Sequence, residues 1–93
     1  MARIAVRLII RGRVQGVGYR WWARVVASGL RLSGWVRNRA DGAVELLAAG
    51  PAVDVEHLVA ACQRGPSAAR VVSVERHEAT DPGPGAFEER STA

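Results

Sequence analysis

The stretch Gly12-Arg13-Val14-Gln15-Gly16-Val17-Gly18-Tyr19-Arg20 separates two segments with different hydrophobic periods. Before it, apolar residues alternate with other residues at period two, which predicts a half-buried strand over residues 3–11. From Arg20 the apolar residues follow helical spacing, and Gly29 is the predicted C′ residue that stops the helix. The helical apolar positions are Trp22, Val25, Val26 and Leu30. The stretch is therefore predicted to be a strand-to-helix loop, in which the glycines break the strand pattern.

Two further strand patterns follow the first helix. Residues 34–38 and 43–49 are predicted strands, and Asp41-Gly42 supplies the turn of a β-hairpin between them. A second helix is predicted after Pro51, and Gly65-Pro66 ends it. Its apolar face is formed by Val55, Leu58, Val59 and Cys62.

A fourth strand is predicted over residues 69–78. Its facing stays open, because the adjacent Val71 and Val72 cannot both point inward without a bulge. Residues 87–90 are a candidate for a short last strand. The order βαββαβ predicts an α+β fold, a ferredoxin-like sandwich with an antiparallel sheet and two helices on one face. The length of 93 residues predicts a single domain over residues 1–93.

The composition excludes several classes of protein. The apolar runs are far shorter than the roughly 18 residues that a membrane span needs, so no membrane partner is expected. The N-terminus lacks the basic and apolar regions of a signal peptide. The single Cys62 rules out an internal disulfide, and it is predicted to be a core residue. These features predict a cytoplasmic protein.

All thirteen basic residues are arginine, and the formal net charge is +4. Chemistry that requires a lysine, such as a Schiff base or a P-loop lysine, is therefore excluded. Arginine binds phosphate and carboxylate bidentately through its planar guanidinium. A coding bias of the source organism is a competing explanation for most of these arginines. It is not the preferred explanation for Arg20, which stands at a predicted helix start.

The glycines of the loop predict an anion-binding turn. Gly16 and Gly18 permit positive φ, so backbone N–H groups can converge on one point. The following helix directs its positive dipole end to that point, and Arg20 adds a fixed charge. A tight connection with no ligand fits a two-glycine loop as well. The loop matches neither the dinucleotide fingerprint nor the Walker loop, so nucleotide binding is not supported.

Residues 12–20 resemble the first signature of the acylphosphatase family. The segment Gly34-Trp35-Val36-Arg37-Asn38, followed by Asp41-Gly42, Val44 and Gly50, resembles the second signature at the right spacing. The resemblance extends through the second helix to the fourth strand and fades after about Thr80. Tyr19 stands where Phe is frequent in the family, and Trp21-Trp22 is bulkier than usual. We expect the Tyr19 ring to pack in the core and the tryptophans to narrow or shield the pocket.

The resemblance implies an enzyme that hydrolyses the carboxyl-phosphate bond of a small acyl phosphate, without metal or other cofactor. Arg20 matches the family arginine that binds the substrate phosphate, and Asn38 matches the asparagine that orients the attacking water. The loop whose backbone amides complete the phosphate site corresponds to Gln15, Gly16, Val17, Gly18 and Tyr19. Inorganic phosphate is then the product and an expected inhibitor, and a monomer is expected.

Strand alternation agrees with the pairing of Arg20 and Asn38. Val36 and Asn38 share one face of their strand, so a Val36 packed under the helices places Asn38 on the helix-bearing side. Neither Arg20 nor Asn38 is an evident general base. The titratable candidates nearby are few, with His57 on the second helix and His77 late in the fourth strand. Catalysis is expected to rest on positioning and electrostatic stabilisation of the phosphoryl group, whose own oxygen takes the proton of the water.

Three alternatives compete with this interpretation. The basic residues Arg3, Arg7 and Arg11 form a stripe on the open sheet face, and a ferredoxin-like sheet is also the frame of an RNA-recognition module. That module's aromatic signature is absent, and Glu45 falls among the arginines, so we predict ion pairing and no nucleic-acid partner.

A metal site is not expected either, because neither histidine has acidic or cysteine neighbours at ligand spacing. Acylphosphatase-like domains also occur at the N-terminus of a hydrogenase-maturation carbamoyltransferase, acting on carbamoyl phosphate. This chain ends near Ala93 with no further domain, which favours a free-standing enzyme.

Overall fold

The structure, a computed structural model, describes residues 2–93. Its elements follow the predicted order with a short fifth strand at the end. They are β1 (Arg3–Arg13), α1 (Tyr19–Gly29), β2 (Ser33–Asn38), β3 (Val44–Pro51), α2 (Ala52–Cys62), β4 (Arg70–Glu78) and β5 (Phe87–Arg90). The predicted ferredoxin-like arrangement is confirmed.

The five strands form one sheet in the order β4-β1-β3-β2-β5. The first four strands pair antiparallel, as predicted, but β5 runs parallel to β2, with Gly34 opposite Phe87 and Arg37 opposite Arg90. The sheet is therefore mixed. The direction of β5 has a simple cause: β4 ends at the same end of the sheet where β2 begins, so the chain crosses that end and enters alongside β2.

Both helices pack on one face of the sheet and bury a continuous core with it. In α2 the predicted face is confirmed, since all four of its apolar positions are buried. In α1 the buried line is Tyr19, Ala23 and Ala27, whereas Val25 is exposed, contrary to the predicted face. Val25 is two residues from both Ala23 and Ala27, so the helical period places it on the side of α1 away from the sheet. Within residues 2–93, neither helix is long and apolar enough to cross a membrane.

The end of α1 differs from the prediction by two residues. Gly29 is the last helical residue, and the left-handed position falls on Arg31, which has φ 58°. The Arg31 amide donates to the Ser28 carbonyl and the Leu32 amide donates to the Ala27 carbonyl, each at 3.0 Å. This pair of bonds is a Schellman motif, in which Arg31 takes the place that glycine usually holds.

β1 continues through Gly12 to Arg13 instead of breaking at the glycine. Its pairing with β4 shifts between Arg11 and Gly12, so the bulge lies opposite these residues and leaves Val72 without a partner. Val72 is 78% exposed, which settles the facing that the sequence left open. A Cβ on Gly12 would meet the Arg70 carbonyl, so the bulge requires glycine there.

The arginine stripe of the open sheet face is engaged in ion pairs, as predicted. The Glu45 side chain, which belongs to a residue only 6% exposed, accepts hydrogen bonds from Arg7 Nη1 at 3.0 Å and from Arg37 Nε at 2.8 Å. Arg11 pairs with Glu75 at 2.9 Å, and Arg3 pairs with Asp81 at 2.9 Å. This face is a network of opposite charges.

Candidate active site

The loop between β1 and α1 has the backbone conformation that its glycines predict. Gly16 has φ 72° and Gly18 has φ 79°, both in the left-handed region. A Cβ would meet nothing within 4 Å at either position, so the φ angle and not the space requires glycine. Gly18 is the N-cap of α1, and no side chain among residues 2–93 caps this helix start. The first-turn amides are therefore available to an anion.

Side chains fix the loop at both of its ends. Gln15 Nε2 donates to the carbonyls of Arg39 and Ala43, at 2.8 and 2.9 Å, and so ties the loop to the β2–β3 hairpin. At the other end the Tyr19 hydroxyl donates to the Cys62 carbonyl at 2.8 Å. Burial raises the pKa of Tyr19 well above its ordinary value, so the hydroxyl stays protonated as a donor. The expected core position of Tyr19 is confirmed.

Arg20 is the second residue of α1 and is half-buried. Its Nη1 donates to the Arg90 carbonyl of β5 at 3.2 Å, which uses one of the five guanidinium donors. One turn later, Arg24 Nε pairs with Glu89 Oε2 at 2.8 Å. Within residues 2–93, Arg20 has no such carboxylate partner, so its charge remains available to an anion.

Asn38 is the last residue of β2 and is also half-buried. Val36, two residues earlier, is fully buried under the helices, which places Asn38 on the helix-bearing side of the sheet as the alternation predicts. The Asn38 backbone carbonyl accepts a hydrogen bond from the Ala93 amide at 3.0 Å.

Arg20 and Asn38 line one pocket of about 220 Å³ together with the loop. Its lining residues are Val14, Gly16, Gly18, Tyr19, Arg20, Trp21, Asn38 and Glu89. The other two predicted loop residues, Gln15 and Val17, do not line it. Gln15 ties the loop to the β2–β3 hairpin, and Val17 packs against the core. A second hollow of about 260 Å³ lies beside Trp35 and holds none of the predicted site residues.

Glu89 lines the pocket but is not among the residues predicted from the sequence. Phe87 is buried against the helices, and two residues along a strand return to the same face, so Glu89 points towards α1. This strand alternation was the one signal in the sequence that could have placed Glu89 on the helix-bearing face. It could be used only with β5 placed next to β2.

The histidines His57 and His77 and the cysteine Cys62 do not line this pocket. Cys62 is fully buried, and burial raises the pKa of its thiol to about 12, which agrees with its predicted place in the core. In the part of the chain that the structure describes, residues 2–93, no group of three or more His, Cys, Asp or Glu side chains is arranged to hold a metal ion.

Known proteins resemble the chain over most of its length. The acylphosphatase family model matches residues 6–88. The acylphosphatase of Nitrobacter hamburgensis is 55% identical over 75 residues, which cover 81% of this chain and 76% of that protein. The acylphosphatase of Acidiphilium cryptum is 51% identical over 89 residues, which cover 96% of this chain and 98% of that protein.

The fold has the same relatives. The structure of an acylphosphatase from Coxiella burnetii superposes with a TM-score of 0.90 at 33% identity, and the match covers 95% of this chain and 93% of that one. Sequence, fold and the match to the family model thus agree, and the chain belongs to the acylphosphatase family of enzymes.

Proposed function

We propose that this chain hydrolyses the carboxyl-phosphate bond of acyl phosphates to a carboxylate and inorganic phosphate. The observation that carries the proposal is the shared pocket: Arg20 and Asn38, from α1 and β2, line it together with Gly16 and Gly18 of the loop. A fixed cation, uncapped amides and a neutral amide side chain around one small cavity suit a phosphoryl group and a water molecule.

In this proposal Arg20 and the backbone amides of residues 15–19 bind the substrate phosphate. The Arg90 carbonyl orients the guanidinium through its 3.2 Å hydrogen bond and leaves the other donors for the phosphate oxygens. Each charge-assisted hydrogen bond to the phosphate contributes about 1.5–3 kcal/mol. The helix dipole of α1 adds to this at its N-terminus.

Asn38 orients the attacking water. Its amide can donate to and accept from one water molecule, which fixes the direction of the water lone pair. The water oxygen bonds to phosphorus while the bond from phosphorus to the carboxyl oxygen breaks, and the proton of the water passes to a phosphoryl oxygen. The leaving carboxylate is stable, so a loose transition state needs positioning and charge stabilisation more than a strong base.

The proposed enzyme acts as a cytoplasmic monomer without metal or cofactor, and inorganic phosphate competes with the substrate. Neither nucleic acid nor a membrane takes part. The ion pairs of the open sheet face support the exclusion of nucleic acid, because its arginines already have carboxylate partners.

The decisive experiment measures phosphate release from acetyl phosphate, carbamoyl phosphate and p-nitrophenyl phosphate side by side. We expect hydrolysis of both acyl phosphates, none of the monoester, competitive inhibition by phosphate, and full activity in EDTA. Equal hydrolysis of the monoester would contradict the proposal. Turnover of carbamoyl phosphate alone would favour the carbamoyl-phosphate alternative, and activity lost in EDTA and restored by metal would contradict metal independence.

A further inference from the structure

We infer that Trp21 is the binding surface for the acyl group, and that it makes the site prefer acyl phosphates with an aromatic acyl group. This inference rests on the proposed function, because it assigns the part of the same substrate that lies outside the phosphate site. Trp21 lines the pocket directly after Arg20 in the sequence.

The two adjacent tryptophans have different surroundings. Trp22 is partly buried against the core, where its ring meets Tyr19 edge-on with centroids 5.2 Å apart. Trp21 is 59% exposed and is the one aromatic side chain among the exposed large apolar residues of the described chain. Trp22 therefore serves the fold, and core packing gives no reason for the size of Trp21.

Trp21 also differs from Trp35, whose indole is half-buried. Trp35 lies under two guanidinium groups, with Arg37 at 4.7 Å and Arg90 at 5.2 Å from its ring centroid. Within residues 2–93, Trp21 takes part in neither kind of ring contact. An aromatic surface without a partner at the wall of a pocket is available to stack on a ligand.

The size of the pocket directs the acyl group to this surface. The volume of about 220 Å³ lies below the usual range for the site of a whole small-molecule ligand. A phosphoryl group held by Arg20 and the loop fills the inner part, so the acyl group projects towards the mouth. The exposed Trp21 borders that mouth, and a planar aromatic group can stack on its ring, whereas a methyl group covers little of it.

The test compares benzoyl phosphate with acetyl phosphate in the wild type, Trp21→Ala and Trp21→Phe. We expect Trp21→Ala to lower kcat/KM for benzoyl phosphate by roughly tenfold, mainly through KM, and to lower kcat/KM for acetyl phosphate much less. Trp21→Phe should keep most of the preference. Val25→Ala is the matched control, because Val25 is exposed on the same helix but does not line the pocket.

Equal losses for the two substrates in Trp21→Ala, or an unchanged ratio, would overturn the inference. Titration calorimetry with phenylphosphonate and methylphosphonate separates it from the proposed function. If the wild type hydrolyses neither substrate, the proposed function fails. In that case, tighter binding of phenylphosphonate than of methylphosphonate that disappears in Trp21→Ala would still support the aromatic site. Equal binding of the two phosphonates by the wild type would overturn the inference.

Discussion

The hydroxyl of Tyr19 donates to the backbone carbonyl of Cys62, so the start of α1 is attached to the last turn of α2. Tyr19 directly precedes Arg20, and its ring is almost completely buried. The buried ring also requires glycine at position 65, since a Cβ there would lie 2.6 Å from Tyr19 Cε2. The direction in which Arg20 leaves the helix is therefore set by packing between the two helices.

Tyr19→Phe should lower the free energy of unfolding by about 1–2 kcal/mol, because the buried Cys62 carbonyl loses this donor. The ring still fills the core, so phosphate affinity should stay at the wild-type value. Urea unfolding and a phosphate titration measure the two quantities. Unchanged stability would show that the hydrogen bond does not hold the two helices together.

Arg20→Ala should reduce kcat/KM for acetyl phosphate by about a hundredfold or more and weaken phosphate inhibition, because two or more charge-assisted hydrogen bonds are lost. Arg20→Lys should recover only part of the activity, since a lysine lacks the planar fork. Arg13→Ala is the control, because Arg13 is exposed in the same region and does not line the pocket. Near-wild-type kinetics in Arg20→Ala would refute the assignment.

Asn38→Ala should lower kcat by about 10²–10³-fold with little change in the inhibition constant of phosphate, because the water loses its guide while the phosphate site stays intact. Steady-state kinetics with phosphate as inhibitor distinguish the two effects. Arg37→Ala changes the adjacent residue on the opposite face of β2 and serves as the control. If phosphate affinity fell together with kcat, Asn38 would be a phosphate ligand.

Glu45 should make the fold sensitive to acid. Its burial favours the protonated form, but hydrogen bonds from Arg37 and Arg7 outweigh that effect, and the net pKa is lowered from the ordinary value of 4.5. A carboxylate with a lowered pKa in the folded state stabilises the fold above its unfolded pKa. That contribution is lost as the pH falls from 4.5 through the lower folded value.

Glu45→Gln should therefore destabilise the protein by about 1–2 kcal/mol at pH 7 and flatten the decline in stability below pH 4.5. Denaturant unfolding over a pH series measures both effects. The matched control is Glu56→Gln, which removes the pair with Arg76 on the exposed surface and should cost less. Equal effects of the two changes would show that the burial of Glu45 does not matter.

Two glycine substitutions should act in opposite directions. Gly34 has φ 138° in β2, and a Cβ would collide with the Leu47 carbonyl, so Gly34→Ala should cost about 3 kcal/mol or prevent folding. Gly29 has open space around its Cβ position, so Gly29→Ala should stabilise α1 by about 0.5–1 kcal/mol. Thermal unfolding ranks the two variants against the wild type. A stable Gly34→Ala protein would contradict the close approach of β2 to β3.

The elements with strong local patterns could be predicted from the sequence. The alternation of β1, the Asp41-Gly42 turn and the apolar face of α2 each depend on nearby residues, and the structure confirms them. The pairing of Arg20 with Asn38 in one pocket followed from the resemblance and the facing of Val36. These inferences need only the hydrophobic period of each segment and one assumption about which face of the segment is buried.

The features that were missed depend on contacts between distant parts of the chain. β5 carries one buried apolar residue, Phe87, so its pattern cannot reveal that it lies beside β2. Without that placement, Glu89 had no link to the pocket. Residue preference predicts the left-handed C′ position of α1 at Gly29. The packing of Leu32 and the two capping hydrogen bonds place it two residues later, at Arg31.

The place of β5 in the sheet also bears on how the molecule reaches its functional state. Arg20 is held by the carbonyl of Arg90, and Glu89 forms one wall of the pocket, so residues near the two ends of the sequence meet at one site. Contacts of such long sequence separation form slowly, because a large loop has to close first. The pocket is complete only after β5 has joined β2, and the recovery of activity during refolding therefore reports the closing of the whole sheet.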